Sequence, residues 1–454
     1  MVAGSPANLP GIAGFNASLS PIPIVSAQSI GWNGSLLTPR NVRFSPRLGL
    51  AWQVPNIQGM VVRAGFGIYT NQASYSILQN LAENMPFFFT ETVTSPTTPN
   101  PSFSTGNILS PPNYKVPGTI GANGVNHEFR VEYNEVYNLS IQKQISSDTT
   151  IEAEYVGSRT VHADSSTVDN MPILPPVDTT TAANARRPYP QLTAFTTIRW
   201  NGWATFNALT LKAERRFARD LSFETTYTWS KSIDDASDTG TTNNEYNLPQ
   251  NSYAPQLEKA PSSFDHRNRF TANLVYDVPI GKSSNGLLRA AIAGWRASGL
   301  FTAQSGAPFT VNLSTATGNE PADVGLANTT TNVERPNVTG NPNNGPHDAS
   351  EWFNTAAFSL PQTFTFGSAG RNDVIGPSFV DLDMSLQKDF ALPVESSKLE
   401  FRFDTFNVFN HPNFNIPGRI ATFNAAGLQT SPAFGVVTSA LDPRELQFAL
   451  KWIF

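Results

Sequence analysis

The sequence predicts an all-β fold: an antiparallel transmembrane barrel wall of about eleven strands. Three observations carry this. Segments of about ten residues alternate apolar and polar side chains, and almost nothing repeats with a helical period. Connections between these segments alternate short and long along the whole chain. Charged residues make up 14% of the 454 positions while Phe alone contributes 31, a poor coat for a water-exposed surface.

In chain order, the first strands are expected at 47–53, 60–70 and 135–145, weaker in pattern than those that follow. At 151–155, Ile151, Ala153 and Tyr155 oppose Glu152 and Glu154. A strand at 203–216 is followed by the clearest alternation, 221–230. There Leu221, Phe223, Tyr227 and Trp229 share one face, and Ser222, Glu224, Thr226, Thr228 and Ser230 the other. At 269–278, Phe270, Ala272, Leu274, Tyr276 and Val278 alternate with Arg269, Thr271, Asn273 and Asp277, and a weaker strand covers 293–304. The polar face is acidic at 380–390, where Asp381, Asp383 and Asp389 stand opposite Val380, Leu382, Met384, Leu386 and Phe390. Leu399, Phe401 and Phe403 oppose Glu400, Arg402 and Asp404 at 399–404. The last strand, 446–454, sets Leu446, Phe448, Leu450, Trp452 and Phe454 against Gln447, Ala449 and Lys451.

Short connections fall near 54–58, 146–149, 217–220, 280–287 and 391–397, and several hold turn formers such as Pro55-Asn56 and Ser147-Asp148. Long ones fall near 71–134, 159–202, 231–263, 305–378 and 410–443. A soluble β-sandwich or propeller also hides one strand face, and alternation alone does not separate it from a membrane wall. Short turns at one end with long loops at the other favour the barrel. So do aromatics near strand ends on the apolar faces (Trp52, Tyr69, Tyr155, Trp229, Trp295, Trp452), the expected girdle at headgroup level. The mid-strand charges Glu152, Glu154, Arg269, Asp381, Asp383, Glu400, Arg402 and Asp404 suit a hydrated lumen and would be rejected by a packed core. Their carboxylates are expected to pair with Arg402, Arg269 or Arg296.

Composition excludes several classes. Lys and Arg number 30 against 35 Asp and Glu, a net charge of −5, which argues against nucleic acid as partner. There is no Cys, which removes disulfides, thiolate zinc sites and thiol nucleophiles. No apolar run approaches the length of a membrane helix. The five histidines, His127, His162, His266, His347 and His411, show no metal-ligand spacing and read as solvated or loop-packing groups. Asp265-His266-Arg267 lacks a nucleophile turn and reads as a hydrogen-bonded strand cap. Asp234, Asp235 and Asp238 miss the calcium-loop spacing and read as a solvated acidic loop. Phe87-Phe88-Phe89 reads as a loop anchor or an extracellular contact patch. No catalytic, cofactor or metal residues are expected, and the chain is not read as an enzyme.

The terminal Leu446-Gln447-Phe448-Ala449-Leu450-Lys451-Trp452-Ile453-Phe454 resembles the β-signal read by the barrel-assembly machinery. With it stand Phe401-Arg402-Phe403-Asp404 and the run from Phe406 to Phe414, Gly370-Arg371-Asn372, Gly376-Pro377, and Asp442-Pro443-Arg444. Together these resemble the C-terminal barrel of TonB-dependent outer-membrane transporters, specifically the Oar-like group with a carboxypeptidase-regulatory-like domain. The resemblance runs from about residue 40 to the end. It implies the second half of a roughly 22-stranded barrel in the outer membrane, with Phe448, Leu450, Trp452 and Phe454 as insertion signal. It also implies lipid, barrel-assembly machinery, TonB acting through an N-terminal plug, and an extracellular ligand as partners. Residues 1–40 would be an extracellular loop remnant and 41–454 the barrel with its long loops. The N-terminus shows neither the basic nor the apolar region of a signal peptide, and no plug counterpart appears. With the odd strand count, this leads to the expectation of a fragment of a longer polypeptide. The competing readings are a passive porin-like barrel and a secreted β-rich binding or adhesion module.

Overall fold

The computed structural model describes residues 2–3, 25–33, 43–71, 121–176, 180–218, 220–238, 245–281, 286, 292–314, 322–326, 333–392 and 397–454. Its main element is one antiparallel sheet whose path runs through eleven long strands in chain order. They are β1 (Arg47–Gln53), β2 (Met60–Thr70), β3 (Tyr133–Gln144), β4 (Thr149–Asp169), β5 (Phe195–Ala218) and β6 (Leu221–Asp234). β7 (Asn268–Asp277), β8 (Trp295–Gln304), β9 (Phe379–Ala391), β10 (Lys398–Phe406) and β11 (Glu445–Ile453) complete it. Every segment expected from alternation is a strand of this sheet. Among the described residues no helix is long and apolar enough to cross a membrane.

Two expectations change. The connection read at 159–202 is shorter, because β4 continues to Asp169 and β5 already begins at Phe195, paired up to Asp169↔Phe195. A bulge near His162, which adopts φ 61°, shifts the register there and breaks the alternation that would have revealed the extension. Tyr69 does not belong to the apolar face. It lies opposite Asn134, in register with Gly67 and Arg47, and the Arg47 guanidinium sits 4.5 Å over its ring.

Because paired residues in an antiparallel ladder share a face, the register sorts the sheet into two surfaces. The row Leu50, Ala64, Leu139, Tyr155, Leu209 and Trp229 is apolar. So is Leu399–Trp452, Phe401–Leu450 and Phe403–Phe448, the last pair stacked at 4.7 Å. Leu50, Leu139, Tyr155, Leu209, Trp229, Phe448, Leu450 and Trp452 are exposed, Phe448 by 67%, which in water would be an aggregation surface.

The register also sets the tilt of the strands. The row through Leu50, midway along β1, crosses β7 at Asn268; the row through Ala449, midway along β11, crosses it at Asp277. That slip of nine residues (277 less 268) over ten strand spacings is about 31 Å against about 48 Å, a tilt of about 33°. Tilt of this size is what barrel walls require. β1 and β11 end the sheet path, and both run from the loop end to the turn end. They therefore run parallel to each other and cannot join as an antiparallel pair.

The water-excluded core lies in the long connections. Phe353 packs edge-on against Phe309, Phe358 and Phe434 at 5.7, 5.8 and 5.1 Å, and Val311, Leu313, Val374, Ala421 and Phe423 complete the cluster. Connections 305–378 and 407–444 thus share one core. A second cluster joins Val168 and Met171 at the top of β4 to Ala322, Val324, Leu326 and Val333. Each buried Phe or Leu contributes about 1.5–3 kcal/mol, so these loops form a packed body. At Gly306 the backbone of this body crosses so closely that an added Cβ would lie 1.8 Å from the Gly376 carbonyl oxygen. Gly376 donates to Ala307 at the same crossing (2.8 Å).

Candidate functional site: the polar wall and the loop body above it

All eight charged residues singled out from alternation occupy the polar face of the sheet. Glu152 stands opposite Lys212 and Gln142, Glu154 opposite Thr210 and Ser140, and Arg269 opposite Thr228 and Gln304. Asp381 faces Thr302, Asp383 faces Leu300, Glu400 faces Lys451 and Asp389, Arg402 faces Gln387, and Asp404 faces Ser385 and Gln447. Of the expected partners, Arg402 does pair with one of these carboxylates, and Arg296 pairs with a carboxylate outside this set. Arg402 binds Asp404 on its own strand (2.8 Å), and Arg296 binds Asp277 across β7 and β8 (2.6 Å). Lys212, not an arginine, sits among the acids of the middle strands, 2.7 Å from Glu224 and 3.2 Å from Glu214. A lysine inside an alternating segment reads simply as another polar position, so its pairing is not visible in the sequence. The fold brings Asp383, Arg402 and Asp404 to one hollow of 280 Å³, also lined by Asn273, Leu300 and Phe406. Glu152, Glu154 and Arg269 lie elsewhere on the wall.

The loop body meets the wall through buried charges that sequence reading did not assign. Arg371, expected only as part of a family motif, is buried between β6 and the connection after it. Its Nη1 donates to both Glu245 carboxylate oxygens (3.0 and 2.9 Å), its Nε to the Glu258 carbonyl (2.8 Å), and its Nη2 to the Asp234 carbonyl and carboxylate. Burial disfavours the guanidinium charge, yet the Glu245 and Asp234 carboxylates hold its pKa above the ordinary arginine value. Arg335 binds Glu258 (2.5 Å), both side chains about 5% exposed or less. Arg419 donates to Asn312 Oδ1 (2.5 Å) and lies 4.5 Å over the Tyr246 ring, its pKa lowered by burial.

Asp234 is therefore a buried ion-pair partner at 1% exposure and Asp235 is half-buried, which corrects the solvated-loop reading for these two, while Asp238 is exposed as expected. Asp235 accepts the Trp203 N–H (2.9 Å), and its pKa is raised chiefly by burial. Only proximity in the fold could have revealed this, since Arg371 is 137 positions from Asp234.

The asparagine-rich run after β10 works as a clip. The Asn407 N–H donates to Asp383 Oδ1 (3.0 Å), and Asn413 exchanges two bonds with Val380 (2.8 and 2.9 Å). Asn410 Oδ1 accepts the Arg444 N–H (2.9 Å) at the head of β11. These side chains satisfy the backbone where the ladders of β9–β11 end. His266 caps its strand as expected, with Nδ1 2.7 Å from the Ser305 carbonyl, while Asp265 accepts the Ser232 N–H (2.6 Å). Of the other histidines, His127 stacks on Trp32 at 3.8 Å and His347 meets Trp352 edge-on at 5.4 Å. Among the described residues no group of three His, Asp or Glu side chains is placed to hold a metal. Phe87-Phe88-Phe89 lies outside the described residues.

An exposed apolar face, a charged polar face and a tilted antiparallel register define a membrane-spanning β-wall. Residues 8–447 match the family described as outer membrane beta barrel domain, and the chain belongs to that family. It is an outer-membrane protein. No curated protein matches it. Among solved structures, the outer membrane transporter YddB from Escherichia coli is 12% identical, with 91% of this chain and 40% of that chain covered and a TM-score of 0.48. The FrpB iron transporter from Neisseria meningitidis is 11% identical over 90% of this chain and 39% of that one, with a TM-score of 0.40. The ferripyoverdine receptor of Pseudomonas aeruginosa is 10% identical over 91% and 33%, with a TM-score of 0.41. The chain thus spans two fifths or less of these proteins' lengths.

Proposed function

We propose that this chain supplies the C-terminal barrel wall and the ligand-capturing loop body of a TonB-dependent uptake receptor of the Oar-like group. The observation that carries the reading is the pairing of a charged wall with a rigid body of loops packed on one end of it. A lumen lined by Lys212, Glu224, Asp383, Arg402 and Asp404 gives a plug or solute a hydrated, charge-bearing surface. The loop body, cored by Phe353 and latched by Arg371, is stiff enough to present a preformed capture surface. Residues 1–40 are assigned to the outer loops, which the stacking of Trp32 on His127 supports. Residues 41–454 carry wall and loops, and Phe448, Leu450, Trp452 and Phe454 serve the barrel-assembly machinery as the insertion signal. The chain performs no covalent chemistry in this reading.

The test uses the full-length protein in detergent, passed over the immobilised periplasmic domain of TonB. Retention that is lost when TonB is omitted is the expected result. No retention, together with stable ohmic current in planar bilayers, would establish the porin-like alternative instead.

A further inference from the structure

On the apolar face, charges occur at only two heights between the turns and Ile233. Near the turn end stand Lys143, Arg215 and Lys388; near the loop end stand Glu135, Arg159 and Lys231. Counting ladder rows with the tilt above, Lys143, Arg215 and Lys388 share one level, and Arg159 and Lys231 share another about 25 Å away. That separation equals the apolar height of an outer-membrane barrel, so the cations mark its two rims. Tyr137 and Trp229 lie inside the loop-end rim, and the Tyr155 hydroxyl reaches up toward it from nearer the middle of the wall to meet Asn207.

The two rims differ in how their cations are satisfied. Lys143 Nζ donates to the Gln58 carbonyl (2.6 Å), Lys388 Nζ to the Ala293 carbonyl (2.7 Å), and Arg215 pairs with Asp148 (3.3 Å). Each turn-end cation reaches a group in the turn of a neighbouring hairpin. At the loop-end rim, neither Arg159 nor Lys231 has a hydrogen-bond or ion-pair partner among the described residues, although both are exposed. Glu135 stands opposite Arg159 in register, yet no ion pair forms within 4.0 Å. The two cations are two strands apart at one height, about 12 Å between Cα atoms. Asn207, which accepts the Tyr155 hydroxyl at 2.7 Å, lies between them.

We infer that Arg159 and Lys231 form a binding site for the phosphate of an anionic lipid in the outer leaflet. The chemistry is charge complementarity at the edge of an apolar surface that already holds acyl chains. A guanidinium and an ammonium stand on either side of a side-chain amide at the height where such a headgroup lies, above Tyr137 and Trp229. The turn-end rim makes no such offer because its charges are spent internally. The assignment rests on the long loops facing outward.

The experiment reconstitutes the full-length protein in nanodiscs containing phosphorylated lipid A and measures retained lipid by native mass spectrometry. Heat-shifted migration on gels confirms folding of every variant. At about one factor of five per cation, R159Q/K231Q is expected to retain lipid about twenty-five-fold less tightly than the unaltered protein. R159K/K231R and the turn-end control K143Q are expected to retain it fully. Dephosphorylated lipid A should be retained no better than by R159Q/K231Q, and millimolar inorganic phosphate should not displace the lipid. Undiminished retention by R159Q/K231Q, equal retention of the dephosphorylated lipid, or displacement by inorganic phosphate would each overturn the inference. Labelling of introduced cysteines on the turns, and not the loops, of intact cells would overturn its premise separately.

Discussion

Replacing Arg371 by Met removes the cation that ties connection 305–378 to the end of β6 and to the connection after it. Its guanidinium makes charge-assisted bonds to Asp234, at 1% exposure, and Glu245, at 0%, and donates to the backbone carbonyls of Asp234 and Glu258. Without it two carboxylates remain in a site that excludes water, a cost of about 3–5 kcal/mol for breaking a buried pair on one side. The loss falls on the loop body and the last residue of β6 and spares the rest of the wall, whose ladders below Asp234 do not involve Arg371. Protease cleavage of the loops tracks the population of the opened form when opening is fast, so cleavage should accelerate roughly 150- to 4,000-fold. The folded barrel should keep its heat-shifted migration on gels. R371M/D234N/E245Q, which removes the stranded charges along with the cation, should recover most of the protection. Cleavage of R371M within twofold of the unaltered protein would refute the argument, as would a triple variant no better protected than R371M.

Three further outcomes follow from the same structure. Burial raises the Asp235 carboxyl pKa above its unfolded value, with Asp234 adding to the rise and Arg371 opposing it. The folded state then holds the proton more tightly, so this contribution is full below the unfolded pKa and is lost as pH rises through the folded one. Loop protection should therefore weaken over that window, and Asp235→Asn, which still accepts the Trp203 N–H, should flatten the profile; an unchanged profile sinks the assignment. Cysteine introduced at Asn344 should label on intact cells and cysteine at Ser147 should not, since the chain has no Cys of its own; the opposite pattern inverts the topology. Deleting Phe454, which ends the apolar row of Phe448, Leu450 and Trp452, should lower outer-membrane levels severalfold, and normal levels would show that any apolar strand end suffices.

Alternation by itself determined the wall. In a two-surface sheet each position independently matches lipid or water, so Phe223, Tyr227 and Trp229 against Glu224, Thr226 and Thr228 declare both strand and faces without any partner. Turn formers and loop lengths likewise placed the ends, because they are local chemistry. What local pattern cannot carry is a contact between distant segments. The bulge at His162 reset the period and hid the extension of β4 and β5, whereas the place of Tyr69 on the polar face follows from its parity with Arg63 and is confirmed by its pairing with Asn134. The meeting of Arg371 with Asp234 and Glu245, and of Phe309 with Phe353 and Phe434, belongs to the tertiary structure alone. So does the difference between the two cationic rims. Lys143 and Lys231 are the same residue type on the same face, and only the position of the Gln58 carbonyl leaves one spent and the other open.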